Sequence, residues 1–194
     1  MNILIRSSSG ITQLPLETRL MADQRRIFVE GEINAGTADE FFKEVLYLNH
    51  ESSEPISVFI NSPGGEINSG LLMYDVITGS PAPIRMNCMG RAASMAAILF
   101  ASAGERYLLP GSELMIHQPL LGNQVSGNAS SLKSISDSLL ETKAQMNRIL
   151  AKHTGKSEAE IDEATSFDHY FSAEEAVAFH LADRIVDFKT MTGG

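Results

Sequence analysis

Residues 89–97, Met-Gly-Arg-Ala-Ala-Ser-Met-Ala-Ala, limit what this chain can fold into. Apart from Arg91, they are small or apolar groups that belong in an interior, and Ser94 is the one hydroxyl among them. A polar group that leaves water needs a partner, so a lone serine is a poor choice as core filler. Residues 84–88, just upstream, are a mostly apolar run suited to an interior strand, and residues 94–102 have the length of a short buried helix. A strand that passes through glycine into a buried helix points to α/β layering.

The rest of the chain alternates in the same way. Strands are predicted at 26–30, 56–60, 84–88, 107–109, 114–116 and 184–186. Between them, Thr37 with Glu40 reads as a capping box opening a helix whose apolar face carries Phe41, Phe42, Val45, Leu46 and Leu48. A further helix runs from Asn68 or Ser69 to Ile77. Ser157 with Glu160 and Ser172 with Glu175 are two more capping boxes. Ser7-Ser8-Ser9-Gly10 reads as a loop within a first twenty residues that lack a clean period. Right-handed crossovers between parallel strands follow from such an order.

One long helix is predicted over residues 129–153, with Leu132, Ile135, Leu139, Met146 and Ile149 at a 3–4 spacing and Gly155 as its stop. At 1.5 Å per residue it is roughly 37 Å long, more than the width of a small domain. Part of it should stand clear of the core, and its apolar seam then needs cover from another subunit. An oligomer is expected on that ground.

The 194 residues suit one domain, 1–194, better than two. The net charge of −9 argues against nucleic acid and anionic membranes as partners. No stretch approaches the roughly 18 uninterrupted apolar residues of a membrane span, and the first residues lack a secretory pattern. The single cysteine, Cys88, sits in an apolar run, reads as a small buried hydrophobe, and suits a reducing, cytoplasmic setting. Gly155-Lys156-Ser157 lacks the upstream glycine and strand of a phosphate loop, and no metal-ligand motif is present, so neither a cofactor nor a metal is expected.

Ser94 is read as an acyl-transfer nucleophile. Serine needs an adjacent base and donors aimed at the developing oxyanion. The free N–H groups at a helix start supply such donors, Met95 first among them. The turn at Asn61-Ser62-Pro63-Gly64-Gly65 offers Gly65 as a second. His117, at a strand end beside Gln118-Pro119, is the candidate base; His50, His153 and His180 fall near predicted helix ends, and His169 has no evident path to Ser94. A carboxylate should orient the imidazole. Asp168, Asp162, Asp183 and Asp187 all compete for that place, and spacing does not separate them.

Taken together, Asn61-Ser62-Pro63-Gly64-Gly65, residues 90–96, Met115-Ile116-His117-Gln118-Pro119 and Phe171-Ser172-Ala173-Glu174-Glu175-Ala176 resemble the Clp protease proteolytic subunits, a serine peptidase family, in order and spacing. The resemblance runs from about Arg26 to Asp187. It implies a crotonase-like, ClpP-type α/β spiral with a protruding handle over 122–153, and a divergent, axial segment over 1–20. It also implies a Ser94, His117 and Asp168 triad with the N–H groups of Gly65 and Met95 as oxyanion hole, and no cofactor. Its members hydrolyse unfolded polypeptides inside stacked heptameric rings fed by an ATP-dependent Clp unfoldase. Departures from the family pattern are Arg91 for glutamine, Ala97 for glycine, Leu121 for glycine, Phe167 for arginine, and Ser57 and Phe59 for tyrosines. They motivate a second reading, a ring partner that is active only with another copy of the family. An acyl-CoA enzyme on the same spiral has only fold analogy behind it.

Overall fold

The computed structural model describes residues 1–7, 10–120 and 127–193. Leu121 and residues 122–126, which carry part of the expected handle region, lie outside the described residues. The first twenty residues are more regular than their composition suggests. β1 (Asn2–Ser7) and β2 (Gly10–Pro15) form an antiparallel hairpin, followed by α1 (Leu16–Gln24).

The main sheet is mostly parallel. β3 (Arg26–Ile33), β4 (Ile56–Gly65) and β5 (Ile84–Ala93) lie side by side, with α2 (Ala35–Glu51) and α3 (Ile67–Gly79) as their crossovers. All three strands run further than the apolar runs indicate, because each continues through polar or glycine residues into the region of Ser94. β5 then changes partner. Its first half, Arg85 to Cys88, pairs with β6 (Glu105–Leu108), and its second half, Arg91 to Ala93, pairs with β7 (Glu113–Ile116). β8 (His169–Phe171) adds antiparallel to β7, and β9 (Arg184–Ile185) adds to β6.

α4 (Met95–Ala101) follows β5 directly, and all seven of its residues are buried. It threads the core between the sheet and α3. Full burial of side chains such as Leu99 or Phe100 stabilises the fold by about 1.5–3 kcal/mol each.

Two local expectations change. The cap of α2 is Asn34, whose side chain accepts from the Thr37 N–H; Thr37 therefore lies inside the helix. Of the five residues predicted for the apolar face of α2, Phe41, Val45 and Leu48 are buried, while Phe42 and Leu46 are exposed. The buried three fall at i, i+4 and i+7; the other two sit one position round from that stripe. The boxes at Ser157 and Ser172 open α6 (Glu158–Thr165) and α7 (Ala173–Ala178) as expected. A last short helix, α8 (Phe188–Met191), is capped by Asp187.

The long helix is α5 (Ala129–Thr154), 26 residues, ended by Gly155 in a left-handed conformation at φ 73°. Its burial is one-sided along its length. Met146, Asn147, Ile149 and Leu150 are buried, while Leu132 and Leu140 are exposed. The first half stands clear of the core, as its length requires. Among the described residues no helix is long and apolar enough to cross a membrane.

Candidate active site

Strand register brings three distant residues together. Ala93 of β5 pairs with Met115 of β7, and the Ser94 N–H donates to the Met115 carbonyl at 2.8 Å. Ile116 of β7 pairs with His169 of β8. The residues just past these pairings are therefore neighbours at one end of the sheet: Ser94 after β5, His117 after β7, and Asp168 before the antiparallel β8. His117 Nε2 lies 2.7 Å from Ser94 Oγ, and His117 Nδ1 lies 3.2 Å from Asp168 Oδ1. A carboxylate only accepts, so Nδ1–H donates to Asp168 and Nε2 is left to accept the Ser94 hydroxyl proton. His117 is held from its other side as well. The Gln118 N–H donates to the Thr165 carbonyl at 2.8 Å, and Gln118 Nε2 donates to the Ser166 carbonyl at 3.0 Å. One residue thus ties the histidine strand to the segment that leads to Asp168.

Ser94 sits at φ 55° and ψ −124°, a backbone conformation rarely adopted by residues other than glycine. The turn from β5 into α4 is sharp, and it lifts the hydroxyl off the sheet at the head of a buried helix. Its sequence signature is not G-x-S-x-G, so this strain was invisible beforehand.

The Asn61–Gly65 turn is built to sit on that bend. The Asn61 side-chain oxygen accepts from the Arg91 N–H at 3.2 Å, where β5 changes partner. Buried Ser62 accepts from the Gly64 N–H at 3.1 Å. Gly64, at φ 94°, lies so close that a Cβ there would be 2.6 Å from the Ala93 carbonyl oxygen and 2.8 Å from Ser94 Cβ. A Cβ on Gly65 would meet the Ile33 carbonyl oxygen at 2.0 Å. Neither position admits a side chain, so the backbone itself forms this wall of the site. Met95 is the first residue of α4, and its N–H has no carbonyl a turn behind it.

Ser94, His117, Gly65 and Met95 all line one cleft of about 880 Å³. Met95, Ile98, Met115 and Met146 contribute apolar lining, with Met146 supplied by the buried half of α5. Glu32 and Glu66, beside the glycine turn, give it an acidic side.

The rival residues fall elsewhere. Asp162 bonds Lys143 at 2.7 Å and Asn147 at 2.9 Å, Asp183 pairs with Arg106, and Asp187 caps α8. His153 faces the Tyr74 hydroxyl at 3.3 Å; burial, with Lys152 and Arg106 nearby, lowers its pKa. His169 stacks on Phe171. Burial pushes the Cys88 thiol up, as befits a core hydrophobe. Gln118 was legible only as a neighbour of His117; its two bonds to the end of α6 depend on tertiary structure.

A Clp protease family model matches residues 13–189. The match begins within β2, ahead of the segment in which the motifs lie, and ends in α8. It takes in every strand of the mostly parallel sheet and the elements that carry Ser94, His117 and Asp168, and the α/β architecture is of the ClpP type. This chain belongs to the Clp protease family.

Proposed function

We propose that this chain is a serine endopeptidase in which Ser94 is the nucleophile, His117 the general base and Asp168 the group that orients the imidazole. The observation that carries the reading is the continuous line from Asp168 Oδ1 through the imidazole to Ser94 Oγ, at 3.2 and 2.7 Å. Ser94 Oγ attacks the peptide carbonyl carbon while Nε2 takes its proton. The carbonyl oxygen becomes an oxyanion that the N–H groups of Gly65 and Met95 receive. Collapse breaks the C–N bond as His117 returns the proton to the leaving amine. Water, activated by the same imidazole, then hydrolyses the acyl-enzyme. Each oxyanion donor in such a site contributes about 10²–10³ in rate. No metal or cofactor enters these steps.

The substrate is an unfolded polypeptide, which an open cleft accepts in extended form. The single domain works within stacked heptameric rings, as a homo- or hetero-oligomer fed by an ATP-dependent Clp unfoldase in the cytoplasm. The exposed leucines on the first half of α5 support association with other copies. The purified protein should degrade an unfolded polypeptide, faster with an unfoldase and ATP, and Ser94→Ala should abolish this. Degradation that persists in Ser94→Ala would refute the assignment.

The exposure of Asp168 favours a narrower version, a ring partner active only in company. Its side chain is 57% exposed, and Phe167 beside it is 86% exposed. Activity that appears only on mixing with a second family member would select that version; activity of the homo-oligomer would remove it.

A further inference from the structure

The lining of the Ser94 cleft mixes apolar and acidic groups, and its carboxylates have no role in the steps above. Glu32 and Glu66 lie on adjacent strand ends: Glu32 pairs in register with Gly64, and Glu66 follows Gly65 directly. Both line the same cleft as Ser94 and His117. Neither is in an ion pair among the described residues; Glu66 accepts one hydrogen bond, from the Ser69 hydroxyl at 2.8 Å. No lysine or arginine is among the residues that line the cleft. The lining also includes Met95, Ile98, Met115 and Met146, flexible thioethers among them.

The geometry points to Glu32 and Glu66 as specificity-determining residues: the cleft selects a peptide with a lysine or arginine close to the scissile bond, on the Asn61–Gly65 side. This rests on the serine peptidase reading above. A peptide cation beside two carboxylates with no competing cation gains attraction, and a peptide carboxylate meets repulsion. Both glutamates are exposed, so each contributes about two- to fivefold in discrimination, on the scale of an exposed ion pair. Added salt should shrink that factor.

The test uses the full-length protein and fluorogenic peptides with one fixed leucine and a Lys, Gln or Glu scan through each flanking position. The Lys-to-Gln ratio of kcat/KM at one position should be about four- to twentyfold in the unmodified protein, and smaller in high salt. It should fall to near one in E32Q/E66Q, and E32K/E66K should prefer Glu over Gln at that same position. Each ratio is internal to one protein, so a general loss of activity does not mimic the effect. A ratio near one at every position in the unmodified protein, or one that E32Q/E66Q leaves unchanged, overturns the inference. If no peptide is cleaved and Ser94 takes no fluorophosphonate, the peptidase reading itself has failed; if Ser94 is labelled and peptides are cleaved without charge preference, only the specificity inference has.

Discussion

The proposed nucleophile, Ser94, and the proposed acid, Asp168, occupy opposite kinds of surroundings. Ser94 leaves a strand and enters a helix whose residues are all buried, and the Asn61–Gly65 turn presses on it at van der Waals limits. Asp168 sits on an irregular segment, with more than half its side chain in solvent and an almost fully exposed phenylalanine before it. His117 bridges the two and is itself only 13% exposed. In the proposed triad, then, the core fixes the attacking group and its base, while the surface supplies the orienting charge. A carboxylate in water is worth less to a neighbouring imidazolium than a buried one, because solvent screens the interaction.

Three substitutions probe that contrast. Removing the core-held group should be the most severe. Ser94→Ala should lower kcat/KM by about 10⁴-fold or more while the thermal midpoint stays put, measured by peptide hydrolysis and calorimetry. Asp168→Asn should cost less, about 10²–10³-fold in kcat, because an exposed acid contributes less than the roughly 10⁴ of a buried one in the serine protease template. A loss equal to that of Ser94→Ala would mean that a neighbouring copy buries Asp168 in solution. Gly64→Ala should affect both rate and stability. Its Cβ collides with the Ala93 carbonyl and with Ser94, so the turn must shift; about 10² in kcat/KM and roughly 1–3 kcal/mol in stability are expected, read by hydrolysis and denaturant unfolding.

The smallest effect lies away from both arms. Burial, and then the Glu40 carboxylate one turn back, push the Glu44 carboxyl on α2 up to about 7. For an acid with a raised native pKa, the folded state holds a proton that the unfolded state has released. Stability from this group is therefore greatest below the ordinary glutamate value of 4.5 and declines as pH rises toward 7. Glu44→Gln should stabilise the protein at pH 8 by about 1 kcal/mol or less after solvent screening, and have little effect at pH 4. Difference melting curves at the two pH values check the sign, and hydrolysis should be unaffected.

Local chemistry was readable from the chain and non-local chemistry was not. The capping boxes at Ser157 and Ser172 each need only residues three apart, and both formed. The box expected at Thr37 failed for an equally local reason, since Asn34 reaches the Thr37 N–H first. The length of the long helix told correctly that part of it would leave the core; that this part is the first half came from the structure. The hairpin at the start was hidden because β2 is exposed at five of its six positions and carries no burial period. The active-site contacts span separations of 23 and 51 residues and depend on where β5 exchanges β6 for β7, which no window of sequence contains. Spacing left four aspartates open, and only family resemblance pointed to Asp168. The strained backbone at Ser94 had no motif to announce it.

The most direct measurement is the rate at which a fluorophosphonate modifies Ser94 in the intact protein and in His117→Ala, with the adduct located by peptide mass spectrometry. A serine activated by the imidazole 2.7 Å away predicts one adduct, on Ser94, formed quickly in the unmodified protein and at least about 10²-fold more slowly without the histidine. A folded protein that takes no label, or one in which His117→Ala reacts as fast, would contradict the account.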